Sequence, residues 1–181
     1  MLQDLKKNLW VDPGSNGLPE DYPCPPHHDD LLFYIQRNQN KNTVIYEVNR
    51  RRNSEINTDF PMHAYWIRYT DGGEIVELNH YQNQLAYGYE SEMIDLHTFQ
   101  FNFVSYKQMN FYIARFPDRR YRALCRINGK MSILHHIYVY AEELGVFPNV
   151  KFIELFGKEM DGDLFCYQKI NVEYEQEIRF Q

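Results

Sequence analysis

The densest concentration of chemically capable side chains in this sequence is a run of arginines: Arg115, Arg119, Arg120, Arg122 and Arg126 fall within a dozen residues. A guanidinium presents a rigid fork of donors that matches a carboxylate or a phosphate, so the run could dock an acidic protein surface or an anionic ligand. If the segment is a strand, alternation puts Arg120, Arg122, Leu124 and Arg126 on one face and Tyr121, Ala123, Cys125 and Ile127 on the other. Alternate positions lie about 7 Å apart, which makes a ladder of forks. The competing reading is a solvated outer face whose arginines pair with Asp or Glu on a neighbouring strand, the commoner fate of such charges.

The remaining candidates are weaker. His135 and His136 are adjacent on an expected strand, so their side chains should point to opposite faces and be unable to share an ion. His27-His28-Asp29-Asp30 follows two prolines and has no fixed ligand geometry, so it reads as exposed polar residues. Glu159, Asp161 and Asp163 alternate like part of a calcium loop, but Gly162 among them makes a hairpin turn the better reading. G-x-S-x-G, H-E-x-x-H, the Walker loop and the dinucleotide glycine fingerprint are absent from the sequence, so no enzyme class is indicated and no cofactor or metal is expected. Cys24, Cys125 and Cys166 are odd in number and far apart, which suggests neither a disulfide framework nor a zinc ribbon and fits a reducing compartment.

Composition narrows the partner classes. A formal net charge of -6 gives no whole-molecule attraction to nucleic acid or to an anionic membrane, so neither is expected as a partner. Hydrophobic residues make up 44% of the chain and aromatics 16%, far too much for a disordered chain. Fifteen tyrosines exceed the need of an ordinary core, and their hydroxyls favour surfaces and contacts. The opening MLQDLKKNLW lacks the apolar core of an export signal and no later run is long enough to span a bilayer, so a soluble cytoplasmic protein is expected.

The elements that would position these groups are short strands. The stretch Pro61 to Leu78 is the centre of the pattern: Tyr65, Trp66, Ile67 and Tyr69 stop at Thr70-Asp71-Gly72-Gly73 before Ile75, Val76 and Leu78 resume, a hairpin with a glycine turn. Leu31 to Arg37 and Thr43 to Asn49 flank an asparagine-rich loop. Arg50 to Asp59 is a polar loop, with a basic docking patch as the minority reading. Further strands are expected over Gln84 to Tyr89, His97 to Ser105, Met109 to Phe116, Arg120 to Ile127, Met131 to Tyr140, Val150 to Phe156, Leu164 to Ile170 and Val172 to Phe180. The clearest signal is Phe99, Phe101 and Phe103 alternating with Gln100 and Asn102. Ala141 to Gly145 reads as a single helical turn. The whole implies an all-β fold, a single antiparallel β-sandwich or flattened β-barrel over residues 31 to 181. Residues 1 to 30 carry Pro13, Pro19, Pro23, Pro25 and Pro26 and read as an extended arm held by the body or a partner, with Trp10 and Tyr22 as anchoring aromatics.

The segments LFYIQRNQNKNTVIYEVN, PMHAYWIRY, QLAYGYE and FIELFGKEMDGD, in that order, resemble a small family found in bacteria and some protists and catalogued only as a domain of unknown function. The resemblance covers about Leu31 to Ile170. It implies a single β domain and brings no activity, cofactor or site residue with it.

Three functional readings follow, in order. The first is a non-catalytic structural or interaction module seated in a larger intracellular protein assembly, such as a cytoskeletal or ciliary lattice of acidic subunits, contacted through the five arginines, Trp10 and Tyr22. The second is a small-ligand-binding barrel with Tyr65, Trp66, Arg68 and His63 about its pocket. The third is an unrecognised enzyme with His63 or His80 as acid or base. A closed pocket lined by Tyr and Trp favours the second, a filled interior the first.

Overall fold

The computed structural model describes residues 22–143, 148–162 and 164–172. Trp10, the first part of the arm and most of the expected strand Val172 to Phe180 lie outside the described residues. The elements are β1 (Leu31–Arg37), β2 (Thr43–Val48), β3 (Met62–Arg68), β4 (Glu74–Glu77), α1 (His80–Leu85), β5 (Tyr89–Asp95), β6 (Thr98–Phe103), β7 (Tyr106–Arg115), β8 (Tyr121–Ile127), β9 (Lys130–Glu143), β10 (Pro148–Glu159) and β11 (Phe165–Asn171). The fold is all-β: one curled sheet runs β4-β3-β2-β1-β9-β8-β7-β6-β5, with β10 and β11 branching from β9. It forms a half-barrel. The sheet is mixed rather than purely antiparallel, because β1 and β9 run parallel.

The branch follows from how β9 uses its two edges. Ser132 and Ile133 pair with β8 on one side and with β10 on the other. His136 to Val139 pair with β1 on one side and again with β10 on the other. Each residue of a strand has room for one ladder per edge, so β8 and β1 share a single edge of β9, one after the other, while β10 follows the opposite edge throughout. Two wings therefore diverge from one spine: β1 to β4, and β5 to β8. At the changeover the β9–β10 register shifts, Gly157 facing Leu134 and Phe156 facing His136, which leaves His135 as the extra residue of a bulge.

The wedge between the wings is filled with rings. Phe33 of β1 stacks on Tyr46 of β2 at 4.5 Å and reaches Phe101 and Phe103 of β6 at 6.0 and 6.1 Å. Phe101 stacks in turn on Phe111 of β7 at 5.3 Å. The alternation of Phe99, Phe101 and Phe103 places all three inward, each at most 5% exposed, and burying each ring is worth about 2 to 3 kcal/mol. Tyrosines near the far ends of the wings tie one to the other: the Tyr46 hydroxyl donates to Tyr87 O at 2.7 Å, and the Tyr89 hydroxyl donates to Met62 O at 2.6 Å while accepting from Met62 N.

Three expectations need correction. Gln84 to Tyr89 is not a strand: Asn79 and Gln82 form a reciprocal capping box that starts α1, and satisfying otherwise orphaned amides there outweighs a weak strand pattern. A strand not foreseen, β5, follows it with six of its seven residues exposed, so no inward alternation betrayed it. Ala141, Glu142 and Glu143 continue β9 rather than forming a helical turn, because they keep pairing with β10; Leu144 and Gly145 lie outside the described residues. The central hairpin has its glycine turn, with Gly72 and Gly73 at φ 72° and 85°.

A Cβ added at Gly157 would stand 2.3 Å from Ile133 O and 2.9 Å from Ile127 Cδ1. The first contact is backbone in the spine and cannot swing away. Gly157→Ala is expected to lower unfolding stability by about 2 to 3 kcal/mol, read as an earlier urea midpoint at unchanged slope. A wild-type midpoint would contradict the close approach at the branch.

Candidate interaction surface

The structure sorts the arginines by local geometry. Parity on β8 is as read from the sequence for the inner face, where Tyr121, Ala123, Cys125 and Ile127 are buried. On the outer face Leu124 is buried as well, so the ladder is interrupted by an apolar rung. Arg122 is committed: its two terminal nitrogens donate to both oxygens of Asp118 at 2.9 and 2.6 Å, and its guanidinium lies 4.6 Å from the centre of the Phe116 ring. The Arg122 fork, helped by the backbone N–H of Arg120, holds the Asp118 carboxyl well below the usual carboxylate range. Arg120 pairs with Asp29 at 3.0 Å, both side chains at least half exposed. Arg126 donates to Gly129 O at 3.1 Å. Exposed pairs of this kind are worth about 0 to 1 kcal/mol and exchange readily for another acid.

Arg115 and Arg119 sit elsewhere. They flank the β7–β8 turn, in which Arg119 N donates to Phe116 O and Phe116 N to Arg120 O. That turn, the β5–β6 turn and the loop between β2 and β3 line a cleft of about 460 Å³. Of the cleft's other members, Arg50, Ser54 and Ile56 fall in the loop whose minority reading is a docking patch, while Leu96 and His97 were missed, because they come from a separate connection and share no spacing with the arginines.

The four residues read as pocket lining do not share a face. Trp66 is buried inward, its indole N–H donating to Gln82 Oε1 at 3.3 Å and the Arg37 guanidinium 4.8 Å from its ring. His63 and Tyr65 are on the other side of β3, where both meet Glu47. Arg68 closes the strand opposite Glu74. His80 is the first residue of α1, exposed and apart from His63. Tyr22, read as a partner contact, packs on the body: its hydroxyl donates to Arg37 O and its ring meets Tyr138 edge-on at 6.2 Å, while Pro23 O accepts from Gln36 Nε2 at 2.9 Å.

The His135–His136 expectation is corrected by the bulge. The extra residue breaks alternation, and the two Nδ1 atoms come within 2.9 Å. The acids and histidines before β1 take separate partners, His28 with Glu47, Asp29 with Arg120 and Asp30 with Arg50. Glu159 pairs with Lys130, and Asp163 lies outside the described residues. Among the described residues no three His, Cys, Asp or Glu side chains gather as metal ligands. Burial, with Cys166 nearby, pushes the Cys125 thiol up to about 12, so it is protonated at neutral pH and a poor nucleophile.

On the outer face of the first wing His63 bridges two carboxylates. Nδ1 is 3.3 Å from Glu47 and Nε2 is 2.9 Å from Glu77. Burial alone would lower its pKa, but hydrogen bonds to Glu77 and Glu47 outweigh burial and leave it raised above 6.5. A raised folded-state value stabilises the protein fully below the unfolded value of about 6.5, and that contribution is lost as pH rises through the folded value. The Tm difference between wild type and His63→Gln is therefore expected to shrink as pH rises through this window. A difference independent of pH would contradict the bridge.

Against known proteins, the family model described as Domain of unknown function (DUF4833) matches residues 33–169. No curated protein and no solved structure matches the chain.

Proposed function

The chain belongs to this family of unknown function, and we propose that it is a non-catalytic interaction module seated in a larger intracellular protein assembly, facing a partner with an acidic surface. The observation that carries this reading is the filled wedge. A barrel that holds a ligand needs an open interior, and here that interior is occupied by Phe33, Tyr46, Phe101, Phe103 and Phe111 in mutual ring contact. What the fold leaves for binding is its outside.

Two surfaces support the reading further. On β8, Arg120 and Arg126 hold only exposed, exchangeable contacts, so an acidic partner can take their forks without opening the fold. β5 is an edge strand paired with β6, and it exposes Met93 and Ile94. Natural proteins rarely leave a seven-residue edge with apolar side chains open to solvent without a use or a cover. A cytoskeletal or axonemal lattice built of acidic subunits would suit these charges.

The test is Arg120→Gln with Arg126→Gln, measured for thermal stability and for retention in the native complex at two salt concentrations. Stability should change by no more than about 1 kcal/mol, while retention weakens and becomes less sensitive to salt. Unchanged retention would end the docking role. Arg122→Gln serves as the structural comparison: it loses the Asp118 fork and is expected to affect the melting temperature more than retention.

A further inference from the structure

We infer that the cleft between the β2–β3 loop, the β5–β6 turn and the β7–β8 turn is a binding site for an organic oxyanion, a carboxylate or phosphate joined to a small apolar body. Its volume of about 460 Å³ falls in the range of about 300 to 1,000 Å³ usual for ligand sites. The site is separate from the β8 face invoked above, and its occupation does not depend on the module reading.

The charge left over in the cleft is positive. Arg50 is spent, with its guanidinium on both Asp30 oxygens at 2.6 to 3.0 Å and on Ser54 O at 2.8 Å. Arg115 uses one terminal nitrogen on His97 Nε2 at 3.2 Å. An arginine can only donate, so in this contact His97 Nε2 is the acceptor, and His97 Nδ1 lies 3.4 Å from the Tyr121 hydroxyl. Arg119 makes no ion pair or side-chain hydrogen bond among the described residues. The acid of the cleft, Glu55, accepts from the neutral Asn53 amide, which does not offset a carboxylate, but Arg115 and Arg119 together outnumber it, and nearby Asp118 is held by Arg122. Arg119 and the remaining donors of Arg115 therefore face the cleft without an acid of their own, and a bound oxyanion would supply it.

Part of the wall is apolar. Ile56 and Tyr121 are buried and Leu96 is 69% exposed, a surface that bare phosphate would not use. The backbone adds an independent sign. Ser54 and Arg119 both have φ of 66°, a region that favours glycine and strains other residues. Both line this cleft. Strain of this kind concentrates at functional sites, and glycine at 119 would serve the turn better while removing the guanidinium.

The same head group could arrive on a free small molecule or on an acidic side chain of a peptide, and the probes separate these. Phenyl phosphate, inorganic phosphate and an acetylated Phe-Glu peptide amide are titrated by calorimetry into the full chain, into Arg119→Gly, into Arg115→Gln and into Lys151→Gln, a cation paired with Glu142 away from both surfaces. At least one of the two ring-bearing probes is expected to saturate a single site about tenfold more tightly than inorganic phosphate, and each cleft variant to weaken it about tenfold, the equivalent of one lost fork. Arg119→Gly should do so with an unchanged or higher melting temperature, which separates lost binding from lost folding. Lys151→Gln should bind as wild type. Saturation by phenyl phosphate alone assigns the site to a small molecule, and by the peptide alone to a partner's side chain. No saturation by either, or equal weakening in Lys151→Gln, overturns the inference.

Discussion

The structure depends on one constraint, that β9 offers a single edge to two strands in succession. β8 pairs with Lys130 to Ile133 and β1 with His136 to Val139, while β10 holds the other edge across the changeover. A sheet cannot follow two directions from one edge and stay flat. It opens into two wings, and the right-handed twist of each curls them toward one another. The bulge at His135 and the bare backbone of Gly157 absorb the change of direction where a regular ladder would fail. Everything buried between the wings is there because the branch creates a wedge that must be filled.

The filling decides where function can sit. Stacked phenylalanine and tyrosine rings close the interior, and the tyrosine hydroxyls that tie β5 and the connection before it to the first wing are satisfied by backbone carbonyls. On the proposed reading, binding falls to the far edges of the wings and to the connections at their tips. At the tip, two arginines of one turn have different fates for local reasons. Arg122, in the strand, stands opposite Asp118 and stacks on Phe116. Arg119, in the left-handed position of the turn, has neither acid nor ring and is carried over the cleft.

Much of the fold was legible in the sequence because the signals are local. Period-two alternation in Phe99 to Phe103, the inward row from Tyr121 to Ile127 and the double glycine after Asp71 each report on a strand or turn that the same few residues form. What escaped was non-local or polar. The parallel pairing of β1 with β9 joins segments about a hundred residues apart, β5 turns little inward, and α1 is announced by the Asn79–Gln82 pair rather than by an apolar stripe. The bulge that brings His135 against His136 arises from register with β10, which no property of the two residues encodes. The arginine run was legible as a charge cluster, but its division into structural, exchangeable and cleft-lining members needed the turn geometry, and the cleft needed three connections assembled by the fold.

The most direct test of this account is native-state hydrogen exchange resolved by residue. If the branch at β9 is what both wings rest on, the amides in the β9–β10 ladder from Leu134 to Val139 and from Ile153 to Gly157 should exchange last, through global unfolding alone, with β4 and β5 opening earliest. Protection that persists within β6 to β8 or β1 to β3 while the β9–β10 ladder exchanges through a smaller opening would contradict it, because the wings would then be independent units joined by a strand they do not need.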